Sequence, residues 1–134
     1  MLTRLGNKKT IAADIYQYFP PHRVRIYLFI GAAGLHLNTP LAKFNILNDL
    51  DDNVTNLYLV VVHQRDALKA AIAQMPMSAS LCKHWVNNEE TDPVLKAVRF
   101  LMLSNFTYMG KGNTFRFGPN LTRDNILKQI EPTF

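Results

Sequence analysis

Apolar positions along the chain change period several times, and each change marks an element. Ile11, Ile15, Tyr18 and Phe19 recur at helical spacing after Asn7, a good helix cap, and Pro20-Pro21 ends the run. Val24 to Ile30 is a nearly continuous apolar stretch rich in branched and aromatic residues, closed by Gly31. Such a run predicts a strand buried on both faces in a parallel sheet covered by helices. Phe44 to Leu47 predicts a second short strand, and Asn48 to Asp52 a polar turn. Helical periodicity then resumes at Asn53 to Gln64, with Val54, Leu57, Tyr58, Val61 and Val62 on one face and Asp52 as the expected cap. Further helices are expected around Asp66 to Met75, around Ser80 to Asn88 with Leu81, Trp85 and Val86, and from Asp92-Pro93 to Leu103 with Leu95, Val98 and Met102 inward.

Past the helices, Asn105 to Met109 and Thr114 to Phe117 flank Gly110-Lys111-Gly112-Asn113, which predicts a β-hairpin because glycine supplies the positive φ such loops need. Thr122 is placed to cap a last short helix carrying Ile126, Leu127 and Ile130. The pattern therefore predicts an α/β chain. A strand-bearing portion at residues 1–64 is followed by a mostly helical portion at residues 65–134 that ends in a hairpin. Helix should exceed strand, and the sheet should be short. No repeat, low-complexity tract or flexible linker interrupts it.

Composition narrows the class. Of 134 residues, 48% are hydrophobic and 19% charged, the balance of a globular domain. No segment holds the roughly 18 uninterrupted apolar residues of a membrane span. Met1 to Lys9 is polar and basic with no apolar stretch and cleavage site behind it, so no export signal is expected. The single cysteine, Cys82, excludes an internal disulfide and suits a reducing compartment, with the cytoplasm as the default. On a helix beside Leu81 it reads as a small buried hydrophobe rather than a nucleophile. His22, His36, His63 and His84 fall at no paired spacing, so no metal site is expected.

Charge adds a location. The formal net charge is +5, and residues 1–43 hold Arg4, Lys8, Lys9, Arg23, Arg25 and Lys43 against Asp14 alone. Such an edge suits an anionic partner or a cofactor without naming it.

The most specific arrangement is the strand, the turn Phe29-Ile30-Gly31-Ala32-Ala33-Gly34, the second strand and Asp49 at its end. Glycines there let a backbone approach an adenosyl or amino-acid group, and a carboxylate at the end of the second strand is where ribose hydroxyls bind in Rossmann-like sites. Taken alone, a glycine turn after a strand is more often just a turn. Lys111, Asn113 and Arg116 on the hairpin suit DNA contact, with a solvated hairpin tip as the alternative.

Four ordered blocks then resemble one family. Arg4-Leu5-Gly6-Asn7-Lys8-Lys9 resembles an opening glycine-lysine motif, and Phe29 to Gly34 resembles the first S-adenosylmethionine motif of Dam-like, adenine-specific DNA methyltransferases. Asn48-Asp49-Leu50-Asp51 resembles the acidic end of their second strand, and Phe100 to Gly118 their target-recognition segment. The resemblance implies a partial Rossmann-like portion binding S-adenosylmethionine through Lys8, Phe29, Gly31, Gly34 and Asp49. It also implies a double-stranded DNA contact through Asn105, Tyr108, Lys111, Asn113 and Arg116.

The departures matter as much. Tyr27 and Leu28 stand where the family has an acidic residue and a proline, so the carboxylate for the cofactor's amino group is missing, and Ala33 stands at a glycine place with a Cβ that would crowd a close approach. Weak cofactor binding is expected. No Asp-Pro-Pro-Tyr type motif occurs; Asp92-Pro93 runs into Val94 and Leu95. The expectation is a short form inactive alone, with no catalytic residue assigned. The alternatives are a non-enzymatic DNA-binding or regulatory module, and one half of a split enzyme completed by a second chain.

Overall fold

The computed structural model describes residues 6–108, 114–116 and 122–130. Its elements are a 3-10 turn at Lys9–Ile11, α1 (Ala12–Tyr16), β1 (Val24–Tyr27), a 3-10 turn at His36–Asn38 and β2 (Phe44–Leu47). These are followed by α2 (Asp52–His63), α3 (Arg65–Gln74), α4 (Ala79–Asn87), α5 (Pro93–Phe106) and α6 (Arg123–Ile130). Helix exceeds strand, and the two strands pair in parallel with Val24 opposite Phe44 and Tyr27 opposite Leu47.

Side chains at the helix starts explain the boundaries. Asp51, not Asp52, caps α2: its side chain accepts from the Asn53 amide, while Asp52 is already the first helical residue. Ser78 accepts from the Leu81 amide at 3.1 Å and starts α4. Asp92 accepts from Leu95 at 2.8 Å with Pro93 next in line, as the cap-and-proline pair predicts. The Thr122 hydroxyl accepts from the Asn125 amide at 3.3 Å at the start of α6. The first helix is shorter than its periodicity suggested. Asn7 accepts from the Lys9 amide, a 3-10 turn follows, and α1 stops at Tyr16, leaving Tyr18 exposed.

The main core gathers around α5. Ala97, Val98, Leu101, Met102 and Phe106 pack with Leu57, Val60 and Val61 of α2, Leu68 and Ile72 of α3, Trp85 of α4, and Ile126 and Ile130 of α6. Each such large side chain contributes about 1.5–3 kcal/mol by burial. Two side chains expected inside, Val62 and Val86, are exposed because their neighbours Val61 and Trp85 take the inward positions. Burial raises the Cys82 thiol pKa, which keeps it protonated and unreactive, in line with a hydrophobic role. Among the described residues no helix is long and apolar enough to cross a membrane.

The sheet differs from expectation in two respects. β1 alternates exposed Val24, buried Arg25, exposed Ile26 and buried Tyr27. It is covered on one face, not both, and ends at Tyr27 rather than Ile30. Among the described residues no helix covers the second face, and Val24 and Ile26 stay open beside Phe44 and Ile46, their partners in register.

Candidate functional site

The chain leaves the two strands in a way that builds a cleft at their carboxyl ends. Ladder bonds continue past the strands, with Asn48 N–H donating to Tyr27 O and Ile30 N–H to Asn48 O, both at 2.9 Å. This holds the glycine turn beside the acidic turn. The Gly31 amide then donates to Asp49 Oδ2 at 2.7 Å, while the Asp51 amide donates to Asp49 Oδ1 at 3.0 Å. The carboxylate is thus fixed by two backbone donors, and each oxygen retains a further lone pair for a ligand hydroxyl.

Two backbone positions shape the turn. Gly31 sits at φ +48°, with open space where a side chain would be. Gly34 is different: a Cβ there would lie 1.9 Å from Asn7 Oδ1, 2.7 Å from Lys9 N and 3.0 Å from Lys8 N. The segment from Asn7 to Lys9 therefore packs directly on Gly34. Ala33, whose Cβ was expected to crowd an approach, is buried at φ +55°, a left-handed conformation that costs an alanine about 1–2 kcal/mol.

The resulting cleft has a volume of about 620 Å³, within the usual range for small-ligand sites, and takes in Lys8, Phe29, Gly31, Gly34 and Asp49 together. All five expected cofactor residues line one space. Phe29 is 83% exposed, so its ring is an open wall rather than part of the core.

Tyr58, read from sequence only as an inward residue of a helix, has a further part. Its hydroxyl donates to Gly31 O at 3.0 Å and ties α2 to the glycine turn. Nothing in the local pattern marks a bond between residues 27 positions apart.

Beneath the cleft, Tyr27 stands where the family places an acid. Its hydroxyl accepts from Arg25 Nη1 at 2.9 Å, and its ring meets His36 edge-on at 5.2 Å. Burial, and secondarily the Arg25 guanidinium, hold the His36 pKa below its ordinary value. The sign follows from linkage. The unfolded chain protonates this histidine below about pH 6.5 while the fold resists it, so stability is full above that pH and declines as pH falls toward the lower folded value. We expect the melting temperature of the wild type to drop between about pH 7.5 and about pH 5.5 and that of His36→Asn to drop less. Parallel melting curves for the two proteins across that range would contradict this.

The DNA-reading candidates are placed unevenly. Thr107 and Phe115 form an antiparallel bridge, with Tyr108 N–H donating to Thr114 O and Arg116 N–H to Phe106 O, both at 2.9 Å. Tyr108 and Arg116 are exposed. Asn105 is not on a strand: α5 runs on through it to Phe106, it is only 6% exposed, and its amide donates to Leu101 O. It supports the helix end instead of facing solvent. Lys111 and Asn113, with Gly110 and Gly112, lie outside the described residues.

No family model matches the chain. Among curated proteins it is 27% identical over 111 residues to a DNA adenine methylase of Escherichia coli strain K12, and 29% identical over 111 residues to one of Salmonella typhi. Each alignment covers 78% of this chain and 40% of the relative, so the chain spans less than half the length of these proteins. The two relatives support the Dam-like resemblance.

Proposed function

We propose that this chain is the cofactor-binding and part of the DNA-reading region of a Dam-like, site-specific DNA adenine N6-methyltransferase, and that it does not transfer a methyl group alone. The observation that carries this reading is the convergence of Lys8, Phe29, Gly31, Gly34 and Asp49 on one cleft at the carboxyl ends of two parallel strands. S-adenosylmethionine supplies the methyl group in such chemistry. The ribose side of the cleft fits it: Asp49 is held by backbone donors with lone pairs to spare, and Gly31 keeps the turn open. Lys8 would face the cofactor's carboxylate and Phe29 its base or sulfonium. The amino-acid side fits less well, because Tyr27 offers no charge to the cofactor's ammonium and its hydroxyl is taken by Arg25. Affinity should be weak.

Methyl transfer needs a pocket for the flipped adenine. The 134 residues contain no Asp-Pro-Pro-Tyr tetrapeptide to build it, so that part would come from other sequence or from a second chain. Rescue of methylation on adding such a chain would support a split enzyme. DNA binding without any cofactor binding would favour a non-enzymatic module.

The hairpin is the proposed DNA contact, through Tyr108, Lys111, Asn113 and Arg116, with Asn105 left to a supporting part. A basic side chain on a phosphate contributes about −0.9 to the slope of log affinity against log salt, whereas an amide at a base edge reads sequence. Lys111→Ala should weaken binding alike on all duplexes and flatten the salt slope by roughly one unit. Asn113→Ala should change sequence preference more than slope. Titration of a labelled duplex at several salt concentrations checks both, and identical curves for wild type and variants would remove the hairpin from the account.

A further inference from the structure

Arg25 lies on the covered face of β1, and among the described residues no charge balances it. It is only 6% exposed. Its Nε donates to His22 Nε2 at 3.0 Å, and its Nη1 reaches Tyr27 Oη and Thr39 Oγ1 at 2.9 Å and Pro40 O at 3.1 Å. The rings of Phe19, Tyr16 and Tyr27 stand around the guanidinium at 5.0, 5.2 and 5.9 Å from its central carbon. Every one of these partners is uncharged, since His22 must be neutral at Nε2 to accept. Among the described residues no carboxylate pairs with Arg25, and none takes a hydrogen bond from Nη2. The sequence explains why: residues 15–48 contain Arg23, Arg25 and Lys43 but no Asp or Glu.

A buried cation without a counter-charge is costly, and proteins ordinarily pair it or use it. Beside Arg25 is a second open cavity, of about 440 Å³, bounded by Tyr16, Phe19, His22, Leu41 and Ala42 and apart from the cofactor cleft. We propose that this cavity binds a phosphate group, with Arg25 Nη2 as the charged donor and the aromatic rings fixing the guanidinium plane. Nε and Nη1 are already committed, so Arg25 offers an anion one nitrogen, Nη2, in place of the two-nitrogen fork. One oxygen of a phosphate can take one well-aligned Nη2 hydrogen. The source is either a small phosphate compound or the backbone phosphate of a nucleic acid, which share this chemistry.

The test follows the Arg25 Nε–H signal of the ¹⁵N-labelled full chain during titration with inorganic phosphate at constant ionic strength. Because Arg25 itself braces several residues, the variant is Leu41→Glu, an exposed position on the cavity rim that places a carboxylate at the mouth without removing packing. A saturable shift in the wild type, weakened at least about tenfold in Leu41→Glu, supports the site. Displacement of phosphate by a short DNA duplex then assigns the site to backbone phosphate, and lack of displacement assigns it to a small phosphate compound. An unmoved Arg25 signal, or the same titration in Leu41→Glu, overturns the proposal.

Discussion

Gly34→Ala should dislodge the segment from Asn7 to Lys9 and lower stability by about 1–3 kcal/mol, the usual cost of forcing an atom into filled space. The asparagine oxygen at 1.9 Å can swing aside, but the amides of Lys9 and Lys8 at 2.7 and 3.0 Å belong to backbone and can yield only if the segment lifts off. Lys8 then leaves the cleft. The expected readouts are a melting temperature several degrees lower, faster tryptic cleavage after Lys8 and Lys9, and loss of cofactor binding. Gly31→Ala is the informative comparison. It meets no atom within 4 Å but must hold alanine at φ +48°, so it should cost about 1–2 kcal/mol without freeing the segment. Equal proteolysis of both variants and the wild type would show that Gly34 does not seat the segment.

Asp49→Ala should have the larger effect on ligand binding. It deprives the Gly31 and Asp51 amides of their acceptor, and hydrogen bonds to a charged group contribute about 1.5–3 kcal/mol each when shielded. Asp49 is only partly buried, so the lower end of that range applies. The glycine turn and the acidic turn lose their link, and the proposed ribose acceptor is gone. Asp51→Ala separates the two consequences: it removes the α2 cap, at a cost of about 1 kcal/mol, while leaving the Asp49 carboxylate in place. Cofactor binding should vanish in the first variant and persist in the second. Loss of binding in both to the same degree would mean that the acidic turn acts only through stability.

Elements with an unambiguous local signal were legible from sequence. Phe44 to Leu47 is a strand at those bounds, and Asp92-Pro93 opens α5, because a cap side chain and a proline leave few alternatives. At Asp51-Asp52 two equally good caps stand side by side, and where the chain turns out of the acidic loop decides between them. Val24 to Ile30 misled for another reason: an unbroken apolar run has no period from which to read a face, and its burial depends on how many elements pack on it. Asn105 sits at a helix–strand border that local pattern places only within a few residues. Sequence places Gly31 and Asp49 at one cofactor site, but the carboxylate's hold on the glycine turn depends on how the two turns meet. Tyr58 on Gly31 and Arg25 among Tyr16, Phe19 and Tyr27 join residues whose meeting depends on packing, and no spacing rule reports it.

The central claim is that the cleft at the strand ends holds S-adenosylmethionine, and amide chemical shifts of the ¹⁵N-labelled chain test it most directly. Titration with S-adenosylmethionine should move the signals of Gly31, Gly34 and Asp49 together, with saturation only at high ligand concentration, and should leave them still in Asp49→Ala. Signals in the cleft that stay fixed in the wild type at millimolar ligand, or that move equally in Asp49→Ala, would contradict the account.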